Sequence, residues 1–348
     1  MKNLALLMAD THLMPSTVEV NRSIFKQAID YCLKKGIKRI FHLGDLLDSR
    51  KAQTQEILNI LGELFQMVSD AGLDMIIIAG NHDKTNYESD ISFLVPFQHY
   101  PNITLVRDYM GVGSKTYPEF PEGMIVTFLP FFEEKTGAYT QQLKKHVQAT
   151  SGYDKKILLT HVGIDGAKMN SGIEIENHLK KSLFDPFDKV YIGHYHDFQE
   201  LKGGKIVYIG SCFQENFGEN NQKGFSILKD NGSIEFVKAK FPEFKKVCID
   251  MDTATKDDIL KLKKEYEDSE DNIRFAFKGA KEKLAKIDKQ EFVSLGIDVK
   301  TEEADPEVVN YGEQQVVTFD GEKILEEWKG FTKEDKENRE LGLEYLNK

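Results

Sequence analysis

The stretch Leu73-Asp74-Met75-Ile76-Ile77-Ile78-Ala79-Gly80-Asn81-His82-Asp83 decides the fold. Its first part is a short apolar run rich in β-branched residues, with no polar residue after Asp74 to mark a wet face. Such a run suits a strand buried on both faces, in a sheet covered by helices. The run stops at a glycine and delivers an amide, an imidazole and a carboxylate in three successive positions. The same arrangement recurs along the chain. Leu4–Ala9 stops at Asp10-Thr11-His12, and Lys38–Leu43 stops at Gly44-Asp45-Leu46-Leu47-Asp48. Ile157–Thr160 stops at His161, and Val190–Ile192 stops at Gly193-His194-Tyr195-His196. Residues at such strand ends converge on one crevice in an α/β sheet.

Helical stripes separate the early runs. Val18–Lys35 places Ile24, Ala28, Tyr31 and Cys32 at helical spacing and ends at Gly36, and a second stripe runs from Ile57 to Val68 and closes near Gly72. A further strand is expected over Met124–Leu129, followed by a helix around Gln141–Gln148. The second half is richer in strands, with Ile206–Ile209, Gly224–Leu228 and Ser233–Val237, the last two joined at the hairpin signal Asp230-Asn231-Gly232. The expected fold is therefore α/β, a sheet core over residues 1–244 with helices on its outer faces. A second, smaller α/β unit is expected over 245–299: strand Val247–Met251, helix Lys256–Tyr266, strand Asn272–Phe277 and helix Glu282–Ser294. Residues 300–319 read as a polar linker and 320–348 as a helical pair.

The composition limits the function classes. The chain has 348 residues, 40% hydrophobic and 30% charged, enough to bury a large core. Its three cysteines, at 32, 212 and 248, form no paired spacing, which argues for a reducing compartment and against a secreted disulfide scaffold. No apolar run reaches the roughly 20 residues of a membrane span, and Leu4–Ala9 is too short for a signal-peptide core. A cytoplasmic protein without membrane attachment is expected. The formal net charge of −11 argues at first against nucleic acid. Residues 301–348, however, carry 14 Asp+Glu against 6 Lys+Arg, so most of the acidity belongs to the linker and tail. What remains against DNA is narrower: the body lacks a strong basic footprint of its own.

The strand-end residues carry the chemistry. Three carboxylates (Asp10, Asp45, Asp48), one amide (Asn81) and five imidazoles (His12, His82, His161, His194, His196) exceed the needs of one tetrahedral zinc. They suit two divalent ions sharing a carboxylate. Mixed oxygen and nitrogen ligation favours manganese, with magnesium, iron or zinc as alternatives.

In this order, Asp-x-His, Gly-Asp-x-x-Asp, Gly-Asn-His-Asp, a lone His and Gly-His-x-His resemble the calcineurin-like metallophosphoesterase superfamily, whose fold is a β-sandwich core with flanking helices. All five blocks are intact between residues 10 and 196. Gly44-Asp45-Leu46-Leu47-Asp48-Ser49-Arg50-Lys51, Tyr208-Ile209-Gly210-Ser211 and Phe217-Gly218-Glu219 resemble segments of the SbcD-type DNA nucleases, counterparts of the meiotic-recombination nuclease. Many of these carry His at the position of Asp48; Asp there resembles the phage-type members. The plan of core, small cap, linker and helical pair agrees.

The resemblance implies a role for each residue. Asp10, His12, Asp45 and His196 would hold one metal; Asp45, Asn81, His161 and His194 would hold the other, with Asp45 bridging. His82 would act on the leaving oxygen as a general acid, Asp83 would orient His82, and Asp48 would steady the ligand set. Arg50 and Lys51 would meet the DNA backbone. The resemblance further implies DNA as substrate, double-strand exonuclease and single-strand endonuclease activity, a homodimer, and an SbcC-type coiled-coil ATPase as partner. The tail would dock on that ATPase through Ile324, Leu325, Trp328, Leu341, Leu343 and Tyr345. A phosphomonoesterase or phosphoprotein phosphatase on the same core, and a scaffold that has lost catalysis, are the competing readings. Intact ligand positions weigh against the scaffold, and the cap and tail weigh against a free-standing phosphatase.

Blander readings cover the remaining residues. His42, His99, His146 and His178 lie outside the blocks and read as structural histidines. Cys212 reads as a packed thiol. Lys34–Arg39 reads as a solvated helix end, and Lys261–Lys264 as a charged helix face.

Overall fold

A computed structural model describes residues 1–169, 172–176 and 178–303. The expected docking residues Leu325, Trp328, Leu341 and Tyr345, and the expected linker from residue 304, lie outside the described residues. Along the chain, β1 (Asn3–Met8) leads through α1 (Val18–Lys35) to β2 (Arg39–His42), and α2 (Gln55–Asp70) leads to β3 (Asp74–Ile78). Strands β4 (Ile103–Val106), β5 (Met110–Gly113) and β6 (Met124–Leu129) precede α3 (Ala138–Ala149) and β7 (Lys155–His161). Strands β8 (Lys189–Gly193), β9 (Gln199–Leu201), β10 (Ile206–Tyr208), β11 (Gly224–Lys229) and β12 (Ile234–Lys238) follow.

These strands form two six-stranded sheets, in the orders β12-β11-β1-β2-β3-β4 and β5-β6-β7-β8-β10-β9. The alternation of side chains explains why each central run is apolar throughout. Leu6, Met8, Ile40, Met75 and Ile77 face α1 and α2, against Ile24, Phe25, Leu61 and Phe65. Their chain neighbours Ala5, Leu7, Phe41, Ile76 and Ile78 face the other sheet, against Val126, Phe128, Ile157 and Leu159. Phe41 and Phe128 meet edge to face across this seam at 4.9 Å. The outer face of the second sheet packs Leu158, Val190 and Ile192 against Tyr139, Leu143 and Phe184. The result is a β-sandwich between helical layers.

Strands β1, β2 and β3 run parallel, as do β6, β7 and β8, so their carboxyl ends gather at one rim of the sandwich. The loops there are tied together by backbone hydrogen bonds: the amides of Asp10, Thr11 and Leu13 donate to the carbonyls of Gly44, Asp45 and Leu46 at 3.0, 3.0 and 2.8 Å. Phe131 N–H donates to the Ala79 carbonyl at 2.8 Å and joins the two sheets at the same rim.

A third sheet, β13 (Phe244–Asp250), β14 (Asn272–Gly279) and β15 (Asp298–Glu303), is parallel throughout and carries α4 (Lys256–Tyr266) and the short α5 (Lys281–Leu284) and α6 (Lys289–Val293). It has its own core of Ile249, Ile273, Phe275, Phe277, Leu284 and Phe292. Two expectations are corrected here. Residues 300–303 are strand, not linker, because they pair with Ala276–Gly279. The single helix expected over Glu282–Ser294 is two, because Asp288 caps a new start by accepting from the Gln290 amide at 3.0 Å. Between β10 and β11, the loop from Gly210 to Lys223 touches this third sheet: Gln214 Oε1 accepts from the Phe244 amide at 2.9 Å, Phe217 meets Phe244 edge to face at 4.9 Å, and the Arg274 guanidinium sits 4.0 Å over the Phe217 ring.

Phe128→Ala is expected to destabilise the protein by about 3–5 kcal/mol, since it empties the seam between the sheets. Urea unfolding checks this, and a loss under about 1 kcal/mol would contradict the packing described.

Candidate metal centre

The rim brings the strand-end residues together. Asp10, His12 and His196 form one group whose donor atoms lie within 4.8 Å of one another, and Asp45, His161 and His194 form a second. Asp45 joins the two groups. Its Oδ2 lies 3.2 Å from His161 Nε2 and 3.8 Å from His12 Nε2. Its Oδ1 accepts from the His82 amide at 2.8 Å. Asn81 belongs to the second group, with Oδ1 3.1 Å from His161 Nε2 and 2.9 Å from His194 Nδ1.

The backbone is bent to aim these side chains. Among the described residues, six non-glycine residues have positive φ, and four of them are Asp10 (52°), His12 (37°), Asp45 (53°) and His194 (95°). Each such residue costs on the order of 1–3 kcal/mol and persists because the surroundings over-determine it. Gly80 is required for another reason. A Cβ there would collide with the Asp45 carboxylate.

The donors fit divalent cations. His12 Nε2 and His196 Nε2 face each other at 3.2 Å, so two groups that bind cations when neutral are pressed together. His12 Nδ1 is buried without a hydrogen-bond partner, with the Asp48 carboxylate 3.7 Å away. Two outer ring nitrogens are anchored: His161 Nδ1–H donates to the Leu43 carbonyl at 2.7 Å, and His196 Nδ1–H to Glu219 at 3.0 Å, which leaves each Nε2 toward the cluster.

Charge follows the same geometry. Burial alone would depress His161, but the Asp45 carboxylate, helped by Asp10, lifts it to about 9. His196 is likewise pulled down by burial and carried to about 9 by Glu219, Asp10 and Glu215. Burial opposes ionisation of Asp45, yet His161 and then His12 hold it well below the usual carboxylate range. Burial raises Asp10 to about 6 and Glu215 to about 7. Burial drives His12 well down, and His194 down to about 3.

His82 stands beside both groups, at 4.7 Å and edge-on to His12. The expectation that Asp83 orients it is corrected. The Asp83 carboxylate is buried and accepts from the amides of Gly80, Leu47 and Leu46 at 2.8, 2.9 and 3.3 Å, so it fastens the second loop to the third. His82 Nδ1 instead meets the Asp48 carbonyl at 2.5 Å, and the Asp48 carboxylate lies 4.0 Å from His82 and 3.7 Å from His12. Arg50 is exposed, with Nη2 2.5 Å from His82 Nε2; Lys51 is exposed.

Next to the second group opens a cleft of about 490 Å³ walled by Arg50, Tyr87, Phe131, Glu134, His178 and His194. His178, expected to be structural, lies on this wall with Nδ1 2.9 Å from Glu134 Oε2. Among the other three, His42 is buried against Thr11, His146 is held between two backbone carbonyls, and His99 is exposed. Glu215 and the pair Glu219–Lys223 went without a role in the sequence reading. The signal was present: they follow the strand that ends at Tyr208-Ile209-Gly210, as the other site residues follow theirs.

The calcineurin-like phosphoesterase family matches residues 5–198, which holds all five blocks. The chain belongs to that family. As a metallophosphoesterase it is a hydrolase of a fold that binds divalent metals, and the two Asp/His groups are the candidate site for them. Exonuclease subunit 1 of Enterobacteria phage T4 is 28% identical over 204 residues, covering 58% of this chain and 55% of that protein. The chain thus spans about half the length of this curated relative. Among solved structures, a dimetal phosphatase from Danio rerio aligns with TM-score 0.43 and 10% identity over 64% of this chain and 91% of that one. The nuclease MPE of Pseudomonas putida aligns with TM-score 0.29 and 15% identity, over 67% and 87% respectively. Among the described residues of this metallophosphoesterase, no helix is long and apolar enough to cross a membrane.

Metal uptake by this centre is expected to release about two protons at pH 7, because His161 and His196 must become neutral to bind an ion. Both hold their protons up to about 9 without metal, so affinity should rise with pH toward 9 and flatten above it. Calorimetric titration with Mn²⁺ in buffers of different ionisation enthalpy reads the proton count; a heat independent of buffer would contradict the charge arrangement.

Proposed function

We propose that the chain is a two-metal-dependent DNA nuclease subunit, with double-strand exonuclease and single-strand endonuclease activity. In this reading it acts with an SbcC-type ATPase in DNA recombination, repair or degradation, in the host cytoplasm of a phage. The observation that carries the reading is the pair of donor groups meeting on Asp45, with His82 and Arg50 at their open edge. The likeness to exonuclease subunit 1 of phage T4 supports the choice of DNA over a phosphomonoester.

Asp10, His12, Asp45 and His196 would hold one ion, and Asp45, Asn81, His161 and His194 the other. Divalent ions held there, manganese by preference, would lower the pKa of a water and offset the charge of the phosphodiester. The chain's residues do the rest. The Asp48 carbonyl fixes the His82 ring through Nδ1, so that Nε2 looks toward the open side. In the structure Arg50 donates to that Nε2 at 2.5 Å; with Arg50 turned onto the phosphate, His82 would carry a proton on Nε2 and give it to the leaving oxygen. Arg50 offers a planar guanidinium to a phosphate oxygen at the same edge. Asp83 holds the loops of Asp45 and His82 at fixed separation. The tail residues Leu325, Trp328, Leu341 and Tyr345 form the proposed docking face for the ATPase, and a second copy of the chain helps hold the duplex.

With Mn²⁺ and end-labelled duplex DNA, the protein is expected to release labelled nucleotides. Turnover of p-nitrophenyl phosphate with no cleavage of any DNA substrate would sink the nuclease reading. His82→Asn should lower cleavage by about 10²–10⁴-fold while leaving Mn²⁺ binding intact.

A further inference from the structure

Glu215 is a half-buried acid of the site for which the two ligand groups give no account. It lies in the loop between β10 and β11. Its Oε1 is buried without a hydrogen-bond partner. That oxygen is 3.9 Å from His12 Nε2, and Oε2 is 3.8 Å from His196 Nδ1. The neighbouring acid is provided for: Glu219 accepts from His196 at 3.0 Å and pairs with Lys223 at 2.9 Å. No lysine or arginine pairs with Glu215 among the described residues; its ion-pair neighbours there are His12 and His196. A buried carboxylate oxygen with no hydrogen-bond donor is costly unless a cation compensates it. Donor atoms on one ion with bonds of about 2.1 Å stand roughly 3–4 Å apart, the range in which Oε1 faces His12 Nε2.

We propose that Glu215 is an additional carboxylate donor to the ion held by Asp10, His12, Asp45 and His196. An extra hard oxygen at that position biases it toward manganese or magnesium and away from zinc, which imidazole suits better. The inference rests on the two-metal reading of the site.

The test is equilibrium Mn²⁺ binding to the full chain stripped with chelator, for wild type, Glu215→Gln, Glu215→Asp and Asn81→Ala. Wild type should take up two ions. Glu215→Gln should weaken one binding step at least ten-fold and leave the other within two-fold; Asn81→Ala should weaken the step that Glu215→Gln leaves intact. Glu215→Asp, which keeps the charge, should retain more affinity than Glu215→Gln. Both steps within two-fold of wild type in Glu215→Gln would overturn the inference while leaving the two-metal reading standing. So would both steps weakening together in the Gln and Asp variants alike, which marks a role in folding. Fewer than two ions bound by wild type overturns the two-metal reading itself.

Discussion

The Asp45 carboxylate is buried at the rim where two sheets meet, out of reach of solvent. A charge in that position must be compensated by what the fold places around it. The compensation comes from His161, His12 and the His82 amide, each carried on or beside a different loop. Every one of those loops must arrive at the same point, and that demand accounts for much of the local architecture. It explains the glycine at 80, where no side chain fits, and the left-handed backbone at Asp10, His12, Asp45 and His194. It also explains why Asp83 spends its carboxylate on three amides: the loops of Asp45 and His82 need a fastener that does not compete for the centre.

The central strands were legible in the sequence because burial on both faces leaves an unbroken apolar run. The helices α1 and α2 were legible because their apolar stripes meet a sheet and their ends carry Gly36 and Gly72. The strands that escaped notice in the sandwich were β4, β5 and β9. All three lie at sheet edges, where one ladder suffices: Ile103–Val106 is apolar but only four residues long, and Gln199–Leu201 carries little apolar signal. The edge strand β12 was visible because the turn at Asn231-Gly232 announced it. In the third sheet, β15 was hidden for a related reason: Asp298–Glu303 is an edge strand of mostly polar residues.

The site was legible in its composition more than in its contacts. Strand-end position marked Asp10, Asp45, Asn81, His161 and His194 as neighbours, because parallel strands share a direction. Spacing along the chain says nothing of which side chain an Asp points to, so the partners of Asp83 had to be seen. His178 lies on a loop whose path the strand pattern does not reveal, and so its place beside Glu134 could not be read.

The loop from Gly210 to Lys223 has two faces. Glu215 and Glu219 look into the centre, while Gln214 and Phe217 grip β13 and β14 of the third sheet. Six consecutive residues thus belong to two parts of the molecule at once, and neither part can shift them alone. Any ligand that grips the third sheet and favours one setting of this loop changes the centre's affinity for its ions, and the ions change the affinity for that ligand by the same factor.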